Sequence, residues 1–270
     1  MAAKPYRYPT ASGPFRADQV REGDPYELSD GHAILCAPTG GRGSGAAVTG
    51  AFALSSDPAV ESSGVETGYS PADNVLRAPD VSIGNVPDEP GWVKGVPPLA
   101  VEYADTGQDE ANLARKIAEQ LGAGSQLVWV VRLNGPHRVE IHAPGQRMRT
   151  ARPGEEIEAP GILKNPVPVE ALYDRRIGLE VTLRNLLQRR GYDSLDAVRA
   201  EGEARGEARG RAEGEARALR DAIRDVLDQR GLAMGDDFRA ALDRCQDPTR
   251  LRMWLRKGLT AAEAREIQES

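Results

Sequence analysis

The stretch that decides the fold is LAVEY at residues 99–103, an apolar run that carries one acid, Glu102. A shorter stretch, DVSI at residues 80–83, opens with a second acid, Asp80. Both stretches have the length and apolar content of buried strands. Acids on two adjacent strands can hold a divalent cation, because hard cations such as Mg²⁺ bind carboxylate oxygens and keep several waters.

A lysine, Lys116, follows Glu102 by fourteen residues and falls on an amphipathic helix predicted over residues 108–121. Lys116 stands beside the apolar stripe of this helix, so it either reaches inward to the acids or remains a solvated helix lysine. An inward lysine would neutralise charge that develops on a phosphate or would position the attacking water. The stripe consists of residues spaced four apart: Leu113, Ile117 and Leu121.

The composition of the chain limits which classes of protein it can belong to. The chain has 270 residues, enough for one large domain or one domain plus an extension. A net charge of −6 argues against strong nonspecific binding of nucleic acid, although a local basic patch or a partner could supply it. The two cysteines, Cys36 and Cys245, fit free thiols in a reducing compartment. Because no apolar run reaches the length of a membrane helix, we predict a cytoplasmic protein without membrane contact.

The remaining pattern predicts strands and helices on both sides of these motifs. LVWVV at residues 127–131 predicts a central strand that is buried on both faces. Further strands are predicted over residues 60–69 and 74–83, and a short helix or buried segment over 46–54. The glycine-rich run at residues 38–45 predicts a loop; it lacks the lysine of a phosphate-binding loop, which leaves nucleotide binding as the weaker alternative. This order of elements favours a mixed sheet with a helix on each face.

The composition changes after residue 177. A helix is predicted over 177–190, and EGEARGEARGRAEGEAR follows at residues 201–217, with a glycine at every fourth position. On a helix these glycines would form a smooth stripe for contact with another backbone. The alternative is a solvated spacer, since each glycine costs about 1 kcal/mol relative to alanine. Residues 218–270 predict a small helical bundle, an interaction or oligomerisation module.

Short motifs follow one another in order along the chain. They are PYELSDGH at residues 25–32, RAPDV at 77–81, PLAVEY at 98–103, Lys116, GAGSQLVWVV at 122–131 and RVEIH at 138–142. This ordered series resembles the PD-(D/E)xK nuclease superfamily and, within it, the Uma2 (DUF820) family of endonuclease-like proteins, with Glu27 at the acidic position of the first motif. The resemblance covers roughly residues 15–175.

The resemblance implies an α/β (α+β) fold: a restriction-endonuclease-like mixed β-sheet core flanked by helices, here with a C-terminal α-helical extension. It implies metal-dependent hydrolysis of DNA phosphodiester bonds, with Asp80 and Glu102 binding Mg²⁺ or Mn²⁺ and Lys116 stabilising charge. Glu27 would be either a third acid on the metal or a group that orients another residue.

The predicted division of the chain has four parts. Residues 1–15 form an N-terminal arm and 16–176 the nuclease-like domain. A connector with a helix and the glycine repeat spans 177–217, and the helical bundle spans 218–270. The C-terminal helices could assemble a homo-oligomer or recruit a partner that supplies affinity for DNA.

Departures from the family pattern favour a second interpretation. YADTG at residues 103–107 replaces the usual xxSPS, and Asn112 stands where the family often has an aspartate. The superfamily usually has a lysine two residues after the glutamate, and this chain has Ala104 at that position. In this alternative the protein is a catalytically degenerate nuclease fold that acts as an oligomerising scaffold or a partner-recruited binding module.

Overall fold

The computed structural model describes residues 13–268, so most of the predicted arm at residues 1–15 lies outside the described residues. The chain divides into two compact units, with the boundary between Asp193 and Ser194. The first unit combines strands with helices, and the second contains helices within the described residues. The finer division into residues 16–176, 177–217 and 218–270 stays a prediction.

In the first unit, groups of consecutive strands are separated by single α-helices. The strands are β1 (Tyr26–Ser29), β2 (His32–Leu35), β3 (Ser63–Val65), β4 (Tyr69–Ala72), β5 (Val75–Arg77), β6 (Val81–Ile83), β7 (Val93–Lys94), β8 (Leu99–Ala104), β9 (Leu127–Arg132), β10 (Arg138–His142), β11 (Arg149–Ala151), β12 (Glu156–Ile157) and β13 (Val167–Pro168). The α-helices are α1 (Gly41–Ser55), α2 (Glu110–Gly122) and α3 (Arg175–Arg189), with short 3-10 helices at Ala17–Gln19 and Val169–Leu172.

The main sheet of this unit has six strands in the order β11-β10-β9-β8-β6-β3. Its central pair, β8 and β9, is parallel, and the other neighbours are antiparallel. A second sheet has the order β2-β1-β5-β4-β7, and β12 pairs with β13. The predicted mixed sheet flanked by helices is therefore confirmed.

Strand β8 is buried along its whole length and presents two different faces. Leu99, Val101 and Tyr103 belong to the large apolar core that α1 and α3 also enter. Ala100 and Ala104 belong to a smaller cluster with residues of α2. Because side chains alternate along a strand, Glu102 points to the α2 face, between two alanines that leave space for it.

Helix α1 begins at Gly41, inside the run for which the sequence predicts a loop, and continues to Ser55. Glycine lowers helix propensity, but the helix forms, and a glycine farther along it allows close packing. A Cβ on Gly50 would overlap the hydroxyl oxygen of Tyr103, and one on Gly178 of α3 would overlap the Thr49 methyl. The glycines thus let α1 approach both β8 and α3.

Two predicted strands are shorter in the structure. The segment at residues 74–83 splits at Ala78, Pro79 and Asp80, so that β5 joins the five-stranded sheet and β6 the six-stranded sheet. Proline cannot donate a ladder hydrogen bond, which is consistent with the break at this point. In residues 60–69 a short strand, β3, ends just before Glu66, which has a positive φ of 52°.

The second unit consists of α4 (Leu195–Gln229), α5 (Asp236–Arg244), α6 (Pro248–Gly258) and α7 (Arg265–Gln268). Helix α4 runs without interruption through the glycine repeat. A Cβ added to Gly202, Gly206, Gly210 or Gly214 would meet no described atom within 4 Å. The core of the unit lies around the end of α4, where Ile223 and Leu227 pack with Phe238 and Trp254. Among the described residues, no helix is long and apolar enough to cross a membrane.

Candidate active site

The pairing of β6 with β8 places the two predicted acids side by side. Val81 pairs with Val101 in antiparallel register, so the next pair along is Asp80 opposite Glu102. One carboxylate oxygen of Asp80 accepts a hydrogen bond of 2.5 Å from the backbone N–H of Tyr103. Both acids therefore face α2.

Lys116 reaches this face from α2. Its Nζ lies 2.9 Å from Glu102 Oε2 and 3.0 Å from Glu27 Oε1, and it donates to the Ala78 carbonyl oxygen at 2.7 Å. Burial would lower the pKa of Lys116, but the negative charges of Glu102, Glu27 and Asp80 outweigh burial and raise the pKa. The structure thus brings the predicted acids together around a charged ammonium.

Glu27, on β1, is held by donors at both carboxylate oxygens. Oε2 accepts from Arg77 at 2.8 Å, and Oε1 accepts from the backbone N–H of Ala78 at 3.0 Å and contacts Lys116. Burial alone would raise the pKa of Glu27, but Lys116 and Arg77 hold that pKa below its usual value. This arrangement suits a residue that orients Lys116 better than a metal ligand.

Arg77 and Glu119 extend this network and did not emerge from the sequence. Arg77, on β5, is only 2% exposed and donates through Nε to Glu119 Oε2 at 2.5 Å. The other oxygen of Glu119 accepts from the Ser29 hydroxyl at 2.5 Å. The available signal was spacing: Glu119 lies three residues after Lys116, on the same side of α2.

Gln120 is a third residue that the sequence reasoning missed. It lies one helical turn after Lys116, is 2% exposed, and donates through Nε2 to Glu102 Oε1 at 3.0 Å. Both oxygens of Glu102 are therefore hydrogen bonded, one to Lys116 and one to Gln120.

Glu66 completes the acidic group from the loop after β3. Its carboxyl group lies close enough to that of Asp80 for the two groups to interact electrostatically. Partial burial, together with the negative charge of Asp80, raises the pKa of Glu66 to about 7. Burial raises the pKa of Asp80 and of Glu102 as well. The sequence analysis missed Glu66, because no sequence pattern indicates that this glutamate adopts a positive φ.

The donor set fits a divalent cation. Asp80 and Glu102 offer carboxylate oxygens on adjacent strands, the ligands that hard divalent cations prefer. Within the described residues, no group of three or more histidine, cysteine or acidic side chains could enclose a metal ion. The chain would thus supply two carboxylates, which matches the way Mg²⁺ is held together with waters and substrate phosphates.

Comparison with known proteins supports the nuclease fold. The chain is similar to a protein of Anabaena variabilis ATCC 29413 whose crystal structure is titled "a putative nuclease belonging to DUF820". The identity is 17% and the TM-score 0.52, over 60% of this chain and 98% of that one. No curated protein matches the chain. Residues 15–167, more than half of the chain, match the family Uma2, described as "Putative restriction endonuclease", and the chain therefore belongs to the Uma2 (DUF820) family.

Proposed function

We propose that this protein is a metal-dependent endonuclease that hydrolyses DNA phosphodiester bonds. The observation that carries the proposal is the convergence of Asp80, Glu102 and Lys116 at one site on adjacent strands and the facing helix. Family membership supports the class of activity. Asp80 and Glu102 would bind Mg²⁺ or Mn²⁺.

Each residue of the site has a role that its contacts support. A bound cation lowers the pKa of its water and stabilises the leaving oxygen. Lys116 places positive charge where the phosphoryl oxygens become more negative. Glu27 holds the Lys116 ammonium, with Arg77 compensating the negative charge of Glu27. The Tyr103 N–H fixes Asp80, and Gln120 fixes Glu102.

The second candidate is a catalytically degenerate fold that serves as a scaffold or as a binding module recruited by a partner. One observation favours it: the charge of Lys116 is already compensated within the protein by Glu27 and Glu102, and two of its donors are used by Ala78 and Glu102. In both candidates we propose cytoplasmic location, weak or partner-assisted binding of DNA, and self-association through the C-terminal helices.

The test is calorimetric titration with Mg²⁺ and Mn²⁺, followed by plasmid cleavage on the same samples. We expect wild type to bind the metal and to nick plasmid, and Asp80→Asn and Glu102→Gln to lose at least about 100-fold in cleavage rate. Glu140→Gln is the matched control, because Glu140 is a buried acid of the same sheet that pairs with Arg132 instead of Lys116.

Three outcomes separate the candidates. Metal binding and cleavage that are lost in both site variants but kept in Glu140→Gln would support the endonuclease. Wild type that binds neither metal at millimolar concentration would exclude it. Metal binding without cleavage would favour the degenerate fold.

A further inference from the structure

The ammonium of Lys116 makes two hydrogen bonds and one further ion-pair contact, although its side chain remains 12% exposed. It donates to the Ala78 carbonyl oxygen and to Glu102 Oε2, and Glu27 Oε1 lies 3.0 Å from Nζ as a second ion-pair partner. Two of its three N–H donors are therefore committed within the protein, and two carboxylates compensate its charge. Release of Glu102 would give Lys116 a further donor and more uncompensated charge for a phosphate.

A metal ion would compete most directly for the contact between Lys116 and Glu102. Gln120 occupies Glu102 Oε1 from within the protein and is itself almost fully buried. Glu102 thus directs only Oε2 to the site, and this is the atom that Lys116 holds. Glu27 is not in the same position, because Arg77 and the Ala78 N–H keep its carboxylate occupied.

We propose that Lys116 competes with the divalent cation for Glu102 Oε2, so that Lys116 weakens metal binding and is released from Glu102 when the metal binds. This inference rests on the proposed function. After release, the contacts with Ala78 and Glu27 keep the ammonium beside the site. Gln120 is a positioning residue in this scheme, because it denies the cation the other oxygen of Glu102.

The first experiment measures Mg²⁺ affinity by calorimetry on the full chain. Removal of the competing charge in Lys116→Gln should tighten Mg²⁺ binding by roughly tenfold while cleavage is lost. Lys94→Gln is the control, because Lys94 is an exposed lysine of the same unit and its loss reports only the general change in charge. An affinity in Lys116→Gln equal to or weaker than that of wild type would overturn the inference.

A variant of Gln120 tests the part played by the second oxygen. Gln120→Leu frees Glu102 Oε1 for the cation, so the gain from Lys116→Gln should shrink to about twofold or less in the double variant. A gain of the same size with and without Gln120 would contradict the role of Gln120 as the positioning residue.

A second measurement uses wild type alone and does not depend on the folding of any variant. The chain has only five lysines, so lysine-selective ¹⁵N labelling can resolve the protected ammonium group of Lys116. We expect its signal to shift or to broaden as Mg²⁺ saturates the site. A Lys116 signal unchanged at saturation would overturn the inference and leave the proposed function intact, whereas no Mg²⁺ binding at all would contradict the proposed function itself.

Discussion

The two faces of β8 differ in chemistry: one is apolar and the other is charged. On one face Leu99, Val101 and Tyr103 pack into the large apolar core beneath α1. On the other, Glu102 is buried among charged groups beneath α2. The two sets of residues alternate along a single strand of six residues.

The comparison shows how a small sheet can carry a buried charged site. The apolar face supplies stabilisation in proportion to the area removed from water. The charged face gains less, because desolvation of each ion offsets much of the attraction between ions. Changes on the first face should alter stability, and changes on the second should alter metal binding.

The largest stability effect is expected from Leu99→Ala, which leaves a cavity in the apolar core. Leu99 is fully buried, so the free energy of unfolding should fall by about 2–5 kcal/mol. Mg²⁺ affinity of the folded variant should change less than about twofold, because Leu99 lies on the opposite face. Denaturant unfolding and calorimetry give the two quantities. An equally large loss of stability in Glu102→Gln, on the other face, would break the comparison.

A smaller effect is expected where α1 approaches the apolar face. Gly50→Ala should reduce the free energy of unfolding by about 1–3 kcal/mol, because the added methyl overlaps the Tyr103 hydroxyl, which donates to the Leu172 carbonyl. The control is Gly206→Ala in α4, where the surroundings are open. This change should stabilise its helix by up to about 1 kcal/mol. The same sign in both variants would argue against close packing of α1.

The smallest effect concerns pH and belongs to the charged face. The pKa of Glu66 rises from 4.5 to about 7 on folding, so the folded state holds its proton more tightly than the unfolded state. Without metal, stability should therefore fall as pH rises from about 4.5 to 7. Solvent reaches the side chain and screens its charge, so the contribution should not exceed roughly 1 kcal/mol.

Glu66→Gln provides the measurement of this pH dependence. Thermal unfolding in EDTA between about pH 5 and pH 8 should show a flatter profile for the variant than for wild type, with a difference of about 3 °C at most. Parallel profiles would show that folding does not raise the pKa of Glu66.

The parts of the fold and site that sequence predicted are those with strong periodicity. Strand β8 reads as a short apolar run, and the stripe of α2 places Lys116 beside the buried side, where the structure has it. The alternation along β8 also predicts which way Glu102 points. The sequence analysis also predicted that Asp80 lies near Glu102 and Lys116. That prediction needed only one assumption, that Asp80 and Glu102 are on neighbouring strands.

The parts that sequence missed depend on contacts between distant residues. The start of α1 at Gly41 was missed because glycine in isolation disfavours helix, and the contact that requires a glycine in this helix, that of Gly50 with Tyr103, joins residues far apart in the sequence. Arg77 and Gln120 looked like ordinary strand and helix residues, since nothing local shows that their partners are Glu119 and Glu102.

Ala78 contributes to the site through its backbone alone: its N–H donates to Glu27 and its carbonyl accepts from Lys116. Any residue that keeps a backbone N–H could make the same two contacts, and proline is the exception. This position can therefore change freely during evolution while the charge network remains the same. A sequence motif records residue types, so it does not detect this backbone contact. Related proteins can therefore keep the same charge network and still differ in sequence at this position.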